Sequence, residues 1–249
     1  MKALILAAGY ATRLYPLTKD RAKPLLPVGD RPVLGHILEK IEGLPGLSEI
    51  LVITNHKFYS QFEEWSRNLS LSAPLGLLDD GSTGEDNRLG AIGDIRFAIE
   101  QKKVQEDLLV VGGDNLFGFA LTPFLSFARK KIPFCSLMVY DVKDFGLARQ
   151  YGIVSLDGQG KVAALEEKPK QPKSTLAAMC VYFFPKQTLL FLEEYERLSH
   201  SKDAPGFYIK WLQQTKGVYG HVATGTWYDI GDLVSYEKAC EAFGKGVIS

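Results

Sequence analysis

The sequence has little cysteine. Cys135, Cys180 and Cys240 are the only three in 249 residues, and they stand far apart. No C-x-x-C pair occurs, which argues against a structural zinc site or a disulfide framework and fits a reducing, cytoplasmic setting. Histidine is equally sparse, and His36, His56, His200 and His221 show no metal-ligand spacing. Neither sign of charge is in excess, because 29 basic side chains meet 29 acidic ones. The Lys/Arg surplus of a nucleic-acid binder is missing, so any anionic ligand is expected on a few placed groups. No run approaches the roughly 20 apolar residues of a membrane helix, and no membrane partner is expected. The apolar stretch at residues 3–8 stops at Gly9 and lacks a cleavage site. It reads as a buried first strand rather than a leader. Internal repeats are missing too, including the hexapeptide repeats of a C-terminal β-helix.

What is present is the pattern of an ordinary globular chain, 46% hydrophobic and 23% charged. Strands are expected at 3–6, 49–54 and 107–111, with helices at 56–69, 90–103 and 121–131. Pro32 opens a further helix with the apolar stripe Val33, Ile37, Leu38 and Ile41. This alternation predicts an α/β, Rossmann-like fold with a mixed, mainly parallel sheet flanked by helices. Such sheets bind ligands where loops leave the carboxyl ends of strands. The second half changes rhythm. Strands are expected at 134–142, 152–156, 161–166, 177–184, 218–223 and 227–230, with helices at 187–198, 206–215 and 234–243. We read one domain over 1–249, with a nucleotide-binding half to about residue 133 and a second half built onto it.

The segment Leu4-Ile5-Leu6-Ala7-Ala8-Gly9-Tyr10-Ala11-Thr12-Arg13-Leu14 runs from a strand into a loop of small residues. Such a loop lets backbone N–H groups approach phosphates, and Arg13 adds a planar fork for phosphate oxygens. Ten residues on, Lys23 stands in Ala22-Lys23-Pro24-Leu25-Leu26-Pro27, where two prolines stiffen the loop. Taken alone, the segment is equally a strand-to-loop connection with two solvated cations. Neither G-x-x-x-x-G-K-[ST] nor an intact G-x-G-x-x-G is present.

The combined run LILAAGYATRLYPLT…AKPLLPV resembles the signature of sugar-phosphate nucleotidyltransferases, the NDP-sugar pyrophosphorylases. Members include glucose-1-phosphate thymidylyl- and uridylyltransferases and mannose-1-phosphate guanylyltransferases. Their loop usually reads L-A-[AG]-G-x-G-T-R, so Ala11 replaces the second loop glycine, beside Tyr10. Further motifs follow in family order. Val110-Val111-Gly112-Gly113-Asp114-Asn115 resembles an apolar strand ending in G-D. Tyr151-Gly152 leads to Glu167-Lys168-Pro169, similar to the E-K-P motif. Trp227-Tyr228-Asp229-Ile230-Gly231 is similar to W-x-D-[TI]-G. Cys180 stands, beside Met179, where relatives commonly carry glycine. Gly93 replaces the Gln that reads a pyrimidine in thymidylyl- and uridylyl-type members.

The resemblance implies the nucleotide-diphospho-sugar transferase fold and transfer of a nucleotide to a sugar 1-phosphate. It implies that Arg13, Lys23, Asp114, Lys168 and Asp229 act in catalysis, with Asp114 and Asp229 holding Mg²⁺. Leu6, Ala8, Gly9, Tyr10, Ala11, Thr12, Arg13, Lys23 and Gly90 would bind the nucleotide. Tyr151, Gly152, Glu167 and Lys168 would bind the sugar phosphate. The partners are a nucleoside triphosphate and a sugar 1-phosphate, with a homo-oligomer left open. The polar insert from Asp79 to Arg88 either contacts the base or is a solvated loop. Asp232 has no assignment, and Trp227 reads as a packing residue. Two other readings stand beside this one: a non-catalytic sensing relative, and a dinucleotide-binding oxidoreductase.

Overall fold

The computed structural model describes residues 1–198 and 205–244, so His200 lies outside the described residues. The chain begins with strand β1 (Lys2–Leu6), the short strands β2 (Pro27–Val28) and β3 (Arg31–Pro32), and helix α1 (Val33–Ile41). Next come β4 (Glu49–Thr54), α2 (Tyr59–Ser66), β5 (Leu75–Asp79) and α3 (Gly90–Gln101). The middle contains β6 (Leu108–Gly112), β7 (Asn115–Phe117), α4 (Thr122–Lys130), β8 (Cys135–Asp141) and α5 (Phe145–Ala148). The remainder is β9 (Gly152–Leu156), β10 (Val162–Glu167), β11 (Leu176–Phe184), α6 (Phe191–Arg197), α7 (Pro205–Thr215), β12 (Val218–Ala223), β13 (Trp227–Asp229) and α8 (Leu233–Gly244). The α/β class expected from the alternating pattern is observed.

Two compact units interleave along the sequence. The first comprises Met1–Leu89, Val111–Leu121 and Gly225–Ser249; the second comprises Gly90–Val110 and Thr122–Thr224. In the first, β4 lies between β1 and β5 and is parallel to both, with Leu4 opposite Leu51 and Val52 opposite Leu77. Leu4, Ile5, Leu51, Val52 and Ile53 are wholly buried, as continuous apolar runs in a parallel sheet demand. Helix α1 buries the expected stripe of Val33, Leu34, Ile37, Leu38 and Ile41. A short antiparallel ladder joins β7 to β13, pairing Asn115 with Asp229. That ladder places residues over a hundred positions apart in one unit.

In the second unit β8 pairs antiparallel with β11 and parallel with β12, while β9 pairs antiparallel with β10 and β11. The β11 register jumps between Ala178 and Tyr182. Cys180 sits inside this bulge with φ 55°, the left-handed conformation that glycine adopts without steric cost. Tyr208 stacks on Trp211 and Tyr195 meets both edge-on, forming a buried aromatic cluster at α6 and α7.

Three local expectations change. The helix expected over 56–69 is only Tyr59–Ser66, because Asn55 Oδ1 accepts the Phe58 N–H and turns the chain first. The helix expected over 187–198 divides into a single 3₁₀ turn, Lys186–Thr188, and α6. Strand β5 was not foreseen, since Gly76 and the preceding Pro74 break the strand pattern.

Candidate active site

The loop after β1 begins where Ala7 N–H makes the last ladder bond, to Ile53 O at 2.8 Å. Two side chains then take its carbonyls. Asn55 Nδ2 donates to Ala8 O at 2.9 Å, and Thr18 Oγ1 donates to Ala11 O at 2.7 Å. Among the described residues, the N–H groups of residues 8 to 11 have no hydrogen-bond acceptor. Unused N–H donors are what a loop needs in order to take an anionic ligand. Ala11 adopts φ 50°, ψ 43°, the left-handed conformation that glycine takes without steric cost. Tyr10 is buried, and its hydroxyl donates to Ser82 Oγ at 3.2 Å. Ser82 N–H and Oγ both donate to Asp80 Oδ1 at 2.7 Å. The insert is therefore partly structural, since Ser82 and Asp80 are buried while Glu85, Asp86, Asn87 and Arg88 are exposed. Asn55 and Thr18 had gone unnoticed. Asn55 had a usable signal, its place at the carboxyl end of a parallel strand.

Lys23 starts a 3₁₀ turn, Lys23–Leu25, with buried Pro24. Its Nζ donates to Asp114 Oδ2 at 2.7 Å and to Ile230 O at 3.0 Å. Ile230 N–H in turn donates to Asp114 O at 3.1 Å. Gly113 makes this convergence feasible. Its N–H donates to Leu6 O at 2.8 Å, and a Cβ on it would lie 2.6 Å from that same oxygen. A backbone oxygen cannot move aside, so no larger residue fits there. Asp229 follows on β13, opposite Asn115, whose Oδ1 accepts the Trp227 indole N–H at 2.7 Å. A Cβ built on Gly231 would lie 3.7 Å from Asp229 Oδ2 and 4.0 Å from Arg13 Nη2. Arg13, Lys23, Asp114 and Asp229 thus converge around Ile230 and Gly231, all within the first unit. Asp232 takes a structural part. Its Oδ1 accepts the Ser235 N–H at 2.8 Å, and Ser235 chiefly, then Arg13, hold its carboxyl below the ordinary range.

Among the described residues no group of three or more His, Cys, Asp or Glu is arranged to hold a metal. Two carboxylates do suit a hard divalent cation that completes its shell with substrate phosphates and water. The Asp114 and Asp229 pair fits such an ion and does not fit a protein-enclosed zinc site.

The second unit contains the remaining expected residues. Glu167 pairs with Gly152 across β10 and β9, and Lys168 N–H donates to Tyr151 O at 3.0 Å. The Glu167 carboxylate lies against two glycines. A Cβ on Gly152 would stand 2.9 Å from its Oε2, and one on Gly206 2.4 Å. Burial pushes the Glu167 carboxyl above the ordinary range, while the Lys168 ammonium pulls it down. Lys168 has φ 45° and an exposed side chain with no ion pair or hydrogen bond among the described residues. Met179 is buried. Gly90, at φ 76°, opens α3, and Gly93 gives that helix no side chain at its fourth position.

The model of the family described as nucleotidyl transferase matches residues 2–245. The chain belongs to the nucleotidyl transferase family. A bifunctional protein GlmU from Methanocaldococcus jannaschii is 29% identical over 231 residues, covering 93% of this chain and 51% of that relative. A glucose-1-phosphate thymidylyltransferase from Neisseria gonorrhoeae is 31% identical over 202 residues, covering 78% of this chain and 65% of the relative. The chain thus spans about half to two-thirds of the length of these relatives. A solved UDP-glucose pyrophosphorylase in complex with UDP-glucose shares the fold, with a TM-score of 0.79, 20% identity and 98% coverage of both chains. Membership of the nucleotidyl transferase family sets aside the oxidoreductase reading.

Proposed function

We propose that this chain joins a nucleoside triphosphate to a sugar 1-phosphate, giving an NDP-sugar and pyrophosphate. The observation that carries the reading is the convergence of Arg13, Lys23, Asp114 and Asp229 beside a loop of unused N–H donors. An oxygen of the sugar 1-phosphate attacks the α-phosphorus of the triphosphate. A new O–P bond forms in line as the bond from the α-phosphorus to the bridging oxygen breaks, and pyrophosphate departs with those electrons. The attacking oxygen is already ionised at neutral pH, so no general base is required. The work left to the protein is positioning and charge stabilisation.

Each residue then has one task. Ala8, Gly9, Tyr10, Ala11 and Thr12 cradle the triphosphate with their backbone, and Leu6 and Gly90 add further nucleotide contacts. Arg13 neutralises the leaving pyrophosphate. Lys23 bridges the triphosphate. Lys168 holds the attacking phosphate against its own repulsion, and Glu167 accepts sugar hydroxyls beside Tyr151 and Gly152. Asp114 and Asp229 would hold Mg²⁺, which when bound supplies positive charge at the reacting phosphates. The reading places the enzyme in the cytoplasm, which the absence of any disulfide among its three cysteines supports. No described helix is long and apolar enough to cross a membrane.

The test is a thermal-shift panel of nucleoside triphosphates and sugar 1-phosphates, followed by a pyrophosphate-release assay on the pairs that bind. Turnover of at least one pair, dependent on both substrates, is expected. Binding without turnover for every pair would replace the enzyme by a sensing relative.

A further inference from the structure

Lys23 depends on a segment that has little structure of its own. Residues 15–22 form no helix or strand, yet Ala22 is wholly buried and its N–H must find an acceptor. That acceptor is a side chain. Gln61 Oε1 takes the Ala22 N–H at 3.1 Å, while Gln61 Nε2 donates to Asp20 O at 2.9 Å. One planar amide therefore satisfies the carbonyl before Arg21 and the N–H after it, the two bonds a neighbouring strand would make. The chain leaves this clamp extended at Ala22, with φ −62° and ψ 135°. It then tightens at once into the Lys23–Leu25 turn, where Leu25 N–H bonds Ala22 O at 2.9 Å. With Ala22 clamped and Pro24 buried, the Lys23 backbone has one direction to follow. Its side chain then reaches Asp114 and Ile230.

The clamp itself is well founded. Helix α2 is rooted by Phe58 and Phe62, both essentially unexposed. Just before it, Lys57 Nζ donates to Lys19 O at 2.6 Å, a second hold on the same segment. Asn55, at the end of β4, holds the other cation-bearing loop through Ala8 O. One corner of the first unit thus reaches both loops.

We propose that Gln61 is a positioning residue that acts through Lys23, setting the lysine where it meets the triphosphate. The proposal rests on the role given to Lys23 above. Its amide is engaged by the Asp20 carbonyl and the Ala22 N–H, so its action passes through the loop that carries Lys23.

The test combines amide exchange with kinetics. In Gln61→Ala the Ala22 N–H loses its acceptor and exchanges faster, while amides inside β4 keep their protection. With the best substrate pair, kcat falls about 10- to 100-fold, as a misplaced charged contact predicts, and the KM for sugar 1-phosphate is unchanged. Gln61→Glu keeps the acceptor for Ala22 and loses the donor to Asp20, so it falls between the two. In a Lys23→Ala background, Gln61→Ala costs nothing further, because its effect passes through the lysine. A folded Gln61→Ala with wild-type kcat overturns the proposal, as does unchanged Ala22 exchange or additive loss in the double variant. If Gln61→Ala does not fold, Gln61→Glu is judged by the same kcat and additivity criteria. A wild-type chain that turns over no pair refutes the proposed function instead, and Ala22 exchange still decides whether Gln61 orders the loop.

Discussion

Lys23 and Asp114 form an ion pair across 91 positions of sequence, Nζ to Oδ2 at 2.7 Å. Ile230 binds both of them, accepting from the lysine through its carbonyl and donating to Asp114 O through its N–H. A pair held this way keeps two opposite charges in register before any phosphate arrives. In a phosphoryl-transfer site that is preorganisation, and it makes each partner sensitive to loss of the other.

Asp114→Asn tests this directly. The Lys23 side chain is only 15% exposed and Asp114 31%, so the loss falls below that of a fully buried pair. We expect a stability decrease of about 1–2 kcal/mol, read by urea unfolding. Pyrophosphate release should fall about 100-fold or more, since the carboxylate that would hold Mg²⁺ and that sets Lys23 in place is gone. Near-normal turnover in the folded variant would remove Asp114 from the machinery.

Gly206→Ala addresses the second unit. The new methyl carbon would stand 2.4 Å from Glu167 Oε2. That oxygen is the tip of a flexible side chain, so the carboxylate swings away and the fold survives. Gly206 is the second residue of α7, so only part of alanine's helix-interior advantage applies there. The expected signature is an unchanged or slightly higher melting temperature with a raised KM for sugar 1-phosphate and an unaltered KM for the nucleotide. KM values unchanged from the wild type for both substrates would show that the Glu167 carboxylate has no part in holding the sugar.

Motif residues stood out in the sequence through a resemblance, because each belongs to a short string that can be matched without the fold. Lys23, Asp114 and Asp229 each sit in a short string of Gly, Pro or aromatic residues that shapes one turn. Their supports were not legible, because Gln61, Asn55 and Thr18 are ordinary polar residues until tertiary structure gives them a backbone to bind. Secondary structure was lost where a side chain competes with the backbone or where glycine and proline interrupt the pattern. Asn55 trims the helix expected from residue 56, and Gly76 hides β5. The departures at Ala11 and Cys180 could be read as missing glycines. That both keep the left-handed backbone of glycine could not.

Ala11→Gly follows from that backbone. A left-handed alanine costs roughly 1–2 kcal/mol, while glycine's extra freedom in the unfolded chain returns about 0.4–1 kcal/mol of this. The variant should be more stable by about 0.5–1 kcal/mol, the difference between those two terms. Chemical unfolding checks the sign. Destabilisation would mean that contacts of the Ala11 methyl outweigh the backbone strain.

Glu167 supplies a pH test with a definite sign. Burial raises its folded-state pKa above the unfolded value, with Lys168 opposing. Between those two values the folded protein keeps a proton that the unfolded chain has released. Stability must therefore fall as pH rises through that window, and the cost is complete above it. Glu167→Gln removes the charge that burial penalises. Its urea midpoint should exceed that of the wild type at neutral pH, and the two should approach each other as pH drops below the ordinary carboxylate range. Sugar-phosphate affinity should move the other way in the wild type, weakening as the carboxylate is protonated on descent through the same window. Unfolding midpoints and KM values across the mildly acidic range measure both. Parallel stability curves for the two proteins would show that the Glu167 carboxyl is not held against its ionisation.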